Sequence, residues 1–193
     1  MATDPDRWMG PMQAEMENLK TKHTWDLVKP LLGVNIMDSM RIYNIKWDGE
    51  GNQIKDKVRL VGKGYTQQLG VDYNKTWAGV TWLESVRMTA VVVAKHNLNL
   101  WWINFVGAYL NSPTKEDIYM KQPEGFVEPD YEDYVCKLIH TIYGTMQGGH
   151  DWYRTLGETY NQLRYKTSQA DPCVWFKKED GNYISTLMTS LLL

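Results

Sequence analysis

With 193 residues, 43% hydrophobic and 23% charged, the chain has apolar material for one sizeable domain or two small subdomains around a packed core. A net charge of −2 and a pI of about 6.1 exclude a uniformly basic nucleic-acid binder, so any such contact must come from a local patch. No apolar run approaches the ~20 residues of a membrane span, and the opening residues lack the basic-then-apolar layout of a secretory leader, so the expectation is an intracellular protein, in cytoplasm or nucleus, with no membrane partner.

In chain order, residues 9–22 read as a helix, with Met12, Met16 and Leu19 at helical spacing among charged residues. Residues 25–28 form a short apolar piece. Two strands follow, over 41–47 and 54–62, joined by Asp48-Gly49-Glu50-Gly51-Asn52, and together they predict a β-hairpin. Thr81 and Glu84 have capping-box spacing and open a helix that runs to Lys95 or His96. Its β-branched centre, Val91-Val92-Val93, is helix-poor and predicts burial there. Residues 98–105 read as an apolar strand, followed by a tight turn over 107–111. Short strands are predicted over 118–120 and 134–138, around a Pro/Gly loop at 123–129. The last long helix, 147–163, places Trp152, Tyr153, Leu156, Tyr160 and Leu163 on one face. Strands over 173–176 and 183–193 would form a hairpin across Asp180-Gly181-Asn182. The irregular interleaving of hairpins and helices predicts an α+β fold rather than repeated βαβ units. Most of the nine Trp and twelve Tyr belong to core or half-buried surface, and Cys136 and Cys173, far apart and without metal-ligand spacing, read as buried free thiols.

Four segments stand in order: Lys57–Gln67 (KVRLVGKGYTQ); WWINFVGAYLNS from Trp101, continued by EDIYMKQPEGFV; VCKLIHTIYGTMQ from Val135, with Asp151-Trp152-Tyr153; and Ala170-Asp171-Pro172-Cys173. Taken together they resemble the reverse transcriptases of Ty1/copia-type retrotransposons. The resemblance spans roughly residue 9 to the end and implies the fingers and palm of a polymerase right hand, with an antiparallel palm sheet backed by helices. Residues 9–100 would be fingers with part of the palm and 101–193 palm, in one truncated domain without thumb or RNase H.

Nucleotide addition in that family needs two divalent ions about 4 Å apart, held by three aspartates and phosphate oxygens. On the resemblance, Asn104 stands at the first aspartate position, and Ser190 and Leu191 at the paired ones. The expectation is therefore an inactive copy without bound Mg²⁺. Lys57, Arg59 and Lys63 match fingers residues that contact the incoming triphosphate, Tyr109 the aromatic steric gate, and Gln147 a glutamine near the nucleotide sugar. From the residues alone, the same side chains read as a charged edge strand, a core tyrosine and a polar helix start. Template–primer and dNTP are the implied partners, weakened or lost here. Gly148-Gly149-His150 replaces a usual Ala-Pro-Arg, and Trp82 a usual cation. Arg-to-Trp and Asp-to-Asn changes are each one transition away, which fits a decaying element copy. The alternatives are a nucleic-acid- or nucleotide-binding module without chemistry, and a pseudogene product whose apolar tail invites aggregation. Asp171 and Asp180, both in turns, are the acids that a rival metal site would have to recruit. No phosphate loop, HExxH or nucleophile elbow is present.

Overall fold

The computed structural model describes residues 5–101, 103–179 and 182–187. It is a mixed α+β structure that divides into two compact units, Met1–Thr76 with Tyr109–Gly148, and Trp77–Ala108 with Gly149–Leu193.

The first unit opens with α1 (Pro5–Thr21), then β1 (Trp25–Val28), β2 (Ile36–Met37), β3 (Ser39–Trp47) and β4 (Gln53–Gly62), and later β5 (Tyr119–Lys121) and β6 (Val135–Leu138). A four-stranded sheet runs in the order β1-β6-β5-β2, antiparallel except for the parallel β2–β5 pair. The long β3–β4 hairpin is a separate two-stranded sheet. Its turn is tied by Asp48, whose carboxylate accepts the Glu50 and Asn52 amides at 2.9 and 2.8 Å, with Gly51 at φ +85°.

Helix α1 starts four residues before the predicted position because its first turns are held from outside. Trp8 is buried and meets Tyr43 edge-on at 5.0 Å, and the Arg7 guanidinium grips the Asp56 carboxylate at 2.8 Å. Pro11, inside the helix, removes one backbone bond, and these contacts support the turn before it. Met16 and Leu19 of α1 enter a core with Met37, Leu60, Leu110, Ile118, Met120, Cys136, Leu138 and Ile142. Burying a side chain such as Leu19 contributes about 1.5–3 kcal/mol.

The second unit holds α2 (Leu83–Lys95), α3 (Gly148–Gln162, entered from the end of the first unit), β7 (Lys166–Thr167), β8 (Val174–Glu179) and β9 (Asn182–Leu187). The three strands form an antiparallel sheet in the order β7-β8-β9. Its core is small: Leu156, Cys173 and Trp175, with Trp152, Tyr153, Tyr160 and Tyr165 packed around them. Of the face predicted for α3, only Leu163 departs, lying exposed past the helix end.

Three sequence expectations are corrected in this unit. The N-cap of α2 falls one residue later than the capping box predicts. The N-cap is Trp82, which makes no side-chain cap bond, and the start is instead held by Asp171, whose Oδ2 accepts the Trp82 amide at 3.0 Å and the Ser85 hydroxyl at 2.6 Å. The valine run is not buried: Val91 is 60% exposed, and no residue of α2 is buried. Residues 98–105 form no strand among the described residues.

All three helices end alike. The amides of Thr24, Leu98 and Tyr165 reach back to the carbonyls of Leu19, Val93 and Tyr160, with His23, Asn97 and Arg164 at positive φ between 47° and 64°. These are Schellman endings built without glycine. Cys136 and Cys173 are both free and buried, and burial pushes their thiols up to about 12 and about 11. No described helix is long and apolar enough to cross a membrane.

Candidate functional site

Register fixes the faces of the hairpin. Lys46 opposes Lys55, Asn44 opposes Lys57 and Ile42 opposes Arg59, and opposed residues share a face. Lys46, Lys55, Lys57 and Arg59 therefore stand together on one side. Asp56, Val58 and Leu60 stand on the other, where Val58 and Leu60 are buried and Asp56 meets Arg7. Burial first, then the neighbouring Arg59 charge, holds the Lys57 ammonium below its usual range. Glu15 on α1 counters part of this charge. Its carboxyl is pushed up by burial despite the Leu60 amide it accepts at 3.2 Å and the nearby Lys57 and Arg59.

Beyond β4 the chain folds against the Tyr143-Gly144 segment. The Gly62 amide donates to the Tyr143 carbonyl at 2.8 Å, and Val61 bridges Tyr143 in parallel. A Cβ on Gly64 would stand 2.1 Å from the Gly144 oxygen, and one on Gly144, at φ +86°, 2.3 Å from the Gly62 oxygen. Only glycine permits this backbone-on-backbone contact. The junction sets Tyr143 beside β4, with the Arg59 guanidinium over its ring at 4.9 Å from the centroid. The Tyr109 ring, just ahead of Leu110 in a short 3₁₀ turn, lies 4.9 Å from Tyr143 at an interplanar angle of 49°. Burial, opposed by Arg59, raises the Tyr143 phenol, which stays neutral near pH 7.

The remaining expected residues lie outside this stack. Lys63 is tethered: Asp38 stands 3.8 Å from its ammonium and 2.8 Å from that of Lys121. The Lys121 hydrogen bond, then both positive charges, holds the Asp38 carboxyl below its usual range. Gln147 is fully buried, with its carbonyl accepting from Gln67 at 3.2 Å and its amide donating to the Asp72 carbonyl at 3.2 Å. Gln67 in turn accepts the Met146 amide at 2.9 Å. Asn104 belongs to the second unit and is exposed in an irregular segment. Ser190 and Leu191 lie outside the described residues, as does Asp180. Asp171 is committed to the α2 start and to the Cys173 amide at 2.9 Å; despite burial, the Ser85, Cys173 and Trp82 hydrogen bonds lower its carboxyl. Among the described residues no group of three or more His, Cys, Asp and Glu is placed to hold a metal ion.

Sequence reasoning assigned no role to Tyr143, Asp38 or Gln67. The Tyr-Gly pair and the Gly62-Lys63-Gly64 triplet were the available signals for the junction. Nothing local marks Asp38 or Gln67, whose partners are distant in the chain.

A family model described as reverse transcriptase (RNA-dependent DNA polymerase) matches residues 22–191. The chain belongs to the copia-type reverse transcriptase family. It is 36% identical over 188 residues to the retrovirus-related Pol polyprotein from transposon RE2 of Arabidopsis thaliana, covering 97% of this chain and 13% of that protein. The corresponding protein of transposon RE1 from the same plant is 33% identical over 188 residues, with the same coverage. The Pol polyprotein from transposon TNT 1-94 of Nicotiana tabacum is 31% identical over 186 residues, 96% of this chain and 14% of the relative. The chain thus spans about one seventh of these relatives' length. No solved structure matches it significantly. In this reverse transcriptase chain the expected triphosphate and steric-gate positions, Arg59 and Tyr109, both stand against the Tyr143 ring within one unit.

Proposed function

We propose that this chain is a fingers-and-palm piece of a copia-type RNA-directed DNA polymerase that has lost its chemistry and keeps a grip on nucleotide or template. The observation that carries this reading is the neutral amide of Asn104 in WWINFVGAYLNS, where the family motif has an aspartate. Divalent ions in such sites are held by carboxylates together with phosphate oxygens. An amide at 104, a hydroxyl at 190 and an alkyl group at 191 bring no negative charge, so this donor set does not fit a magnesium pair. Asp171 is no replacement, because both its oxygens already accept hydrogen bonds from Trp82, Ser85 and Cys173.

The grip is supported by a separate observation. Arg59 lies over the Tyr143 ring, and the Tyr109 ring meets the same ring at a tilt of 49°, so a cation and two rings are contiguous. A guanidinium suits phosphate oxygens, and an adjacent ring suits a sugar edge. On this reading dNTP and template–primer are the ligands, held without turnover. Primer extension with Mg²⁺ or Mn²⁺ tests the first half; no product is expected, and Asn104→Asp alone restores none because 190 and 191 remain uncharged. A primer lengthened by the purified chain refutes the inactive reading.

A further inference from the structure

Arg59 and Tyr109 come from sequence positions 50 residues apart, yet one ring, that of Tyr143, stands against both. Arg59 rises from the middle of β4, and Tyr109 heads the 3₁₀ turn Tyr109–Asn111. That turn is tied to the same loop, because the Tyr109 carbonyl accepts the Thr141 hydroxyl at 2.9 Å and the Ser112 carbonyl accepts the Thr141 amide at 2.9 Å. Tyr143 itself is fixed by its backbone, through the Gly62 amide and the close Gly64–Gly144 contact. The junction therefore fixes the point beside β4 from which the ring projects. The guanidinium over its face is attracted by the ring quadrupole, which orients a side chain that otherwise has many rotamers.

We infer that Tyr143 is a positioning residue that couples phosphate recognition by Arg59 to sugar recognition by Tyr109. The inference rests on the proposed nucleotide grip and names the group that holds its two halves in register. Arg59, freed of the ring, loses its preset direction and binds triphosphate more weakly. Tyr109, freed of the same ring, gains room to tilt and admits a ribose 2′-hydroxyl more readily. A residue that merely packs would change overall affinity without moving the preference between deoxyribose and ribose.

The test uses the whole 193-residue chain at low salt, with inorganic tripolyphosphate, dGTP and GTP as probes, measured by calorimetry. Wild type is expected to bind tripolyphosphate with salt-sensitive affinity and to prefer dGTP over GTP. Tyr143→Leu, which keeps bulk without a π face, is expected to weaken tripolyphosphate about fivefold and to shrink the dGTP/GTP preference. Tyr143→Phe, which keeps the ring and loses the hydroxyl that Arg59 also bonds, is expected to weaken tripolyphosphate less than Tyr143→Leu does and to keep the dGTP/GTP preference. If wild type binds none of the probes, the nucleotide grip fails and the coupling with it. If wild type binds and Tyr143→Leu leaves affinity and preference unchanged while remaining folded by circular dichroism, the coupling alone is overturned. A loss of affinity and preference in Tyr143→Phe as large as in Tyr143→Leu also overturns it, because the hydroxyl and not the ring would then hold the two side chains.

Discussion

Removing Asp171 is expected to loosen the second unit far more than a surface carboxylate would. The residue is 2% exposed, and its two oxygens accept the Trp82 amide at 3.0 Å, the Ser85 hydroxyl at 2.6 Å and the Cys173 amide at 2.9 Å. Hydrogen bonds to a charged acceptor contribute about 1.5–3 kcal/mol each, but these three share the desolvation of one carboxylate, so they do not add in full. Loss of a helix N-cap alone costs about 1 kcal/mol. Asp171→Ala, which strands two amide donors, is therefore expected to cost about 3 kcal/mol, and Asp171→Asn, which keeps one acceptor oxygen, about half that. The pH dependence follows from the direction of the shift. The folded carboxyl titrates below its unfolded value, so its stabilisation is complete above about pH 4 and fades as pH falls through the folded pKa. Urea unfolding followed by tryptophan fluorescence at pH 7 and at pH 3 measures the gap between wild type and Asp171→Ala. Amide exchange across α2 then locates it. A difference below about 0.5 kcal/mol at pH 7, or one that does not narrow on acidification, would refute the reasoning.

Two further substitutions probe the backbone. Gly144→Ala places a Cβ 2.3 Å from the Gly62 oxygen at φ +86°, and is expected to destabilise the first unit by about 2–4 kcal/mol in thermal melts, whereas Gly70→Ala, at φ +82° with open space around it, costs about 1 kcal/mol. Arg164→Gly relaxes a positive-φ helix ending whose Tyr165 amide already reaches the Tyr160 carbonyl at 2.9 Å, and is expected to raise stability by about 0.5–1 kcal/mol in the same melts; a lower midpoint would count against the Schellman assignment.

What the sequence made legible was local. The β3–β4 hairpin announces itself through Asp48, Gly49, Gly51 and Asn52 between alternating strands, and α3 through its aromatic stripe; both depend on interactions within a few residues or on one repeating face. The misread helix start and strand both turn on partners far away in the chain. The carboxylate that holds the start of α2 lies 86 residues beyond Ser85, out of reach of a local reading of Thr81 and Glu84. Residues 98–105 are apolar enough for a strand, but a strand is a relation between two chains of hydrogen bonds, and composition does not report whether the second is there. The two-residue strands β2 and β7 are too short to show any period. At the candidate site the cations were readable as residue types. The partners were not: Asp38 stands beside Lys63 and is held by Lys121 across 83 positions, and the amide of Gln67 reaches that of Gln147 across 80.

This asymmetry bears on how a polymerase fragment can lose chemistry and keep shape. The stack of Arg59, Tyr143 and Tyr109, the glycine junction beneath it and the buried Gln67–Gln147 pair draw all of these contacts from the first unit. Asn104 belongs to the second unit and is exposed there, so exchanging a carboxylate for an amide at that position removes none of them. A surface Asp-to-Asn change away from buried partners alters stability by only about 0.5 kcal/mol, whereas a change at Gly144 or Tyr143 disturbs packed backbone. Mutation can therefore neutralise position 104 at little structural cost while the Arg59–Tyr143–Tyr109 cluster stays assembled, and this independence makes the proposed loss of catalysis compatible with the proposed nucleotide grip in one chain.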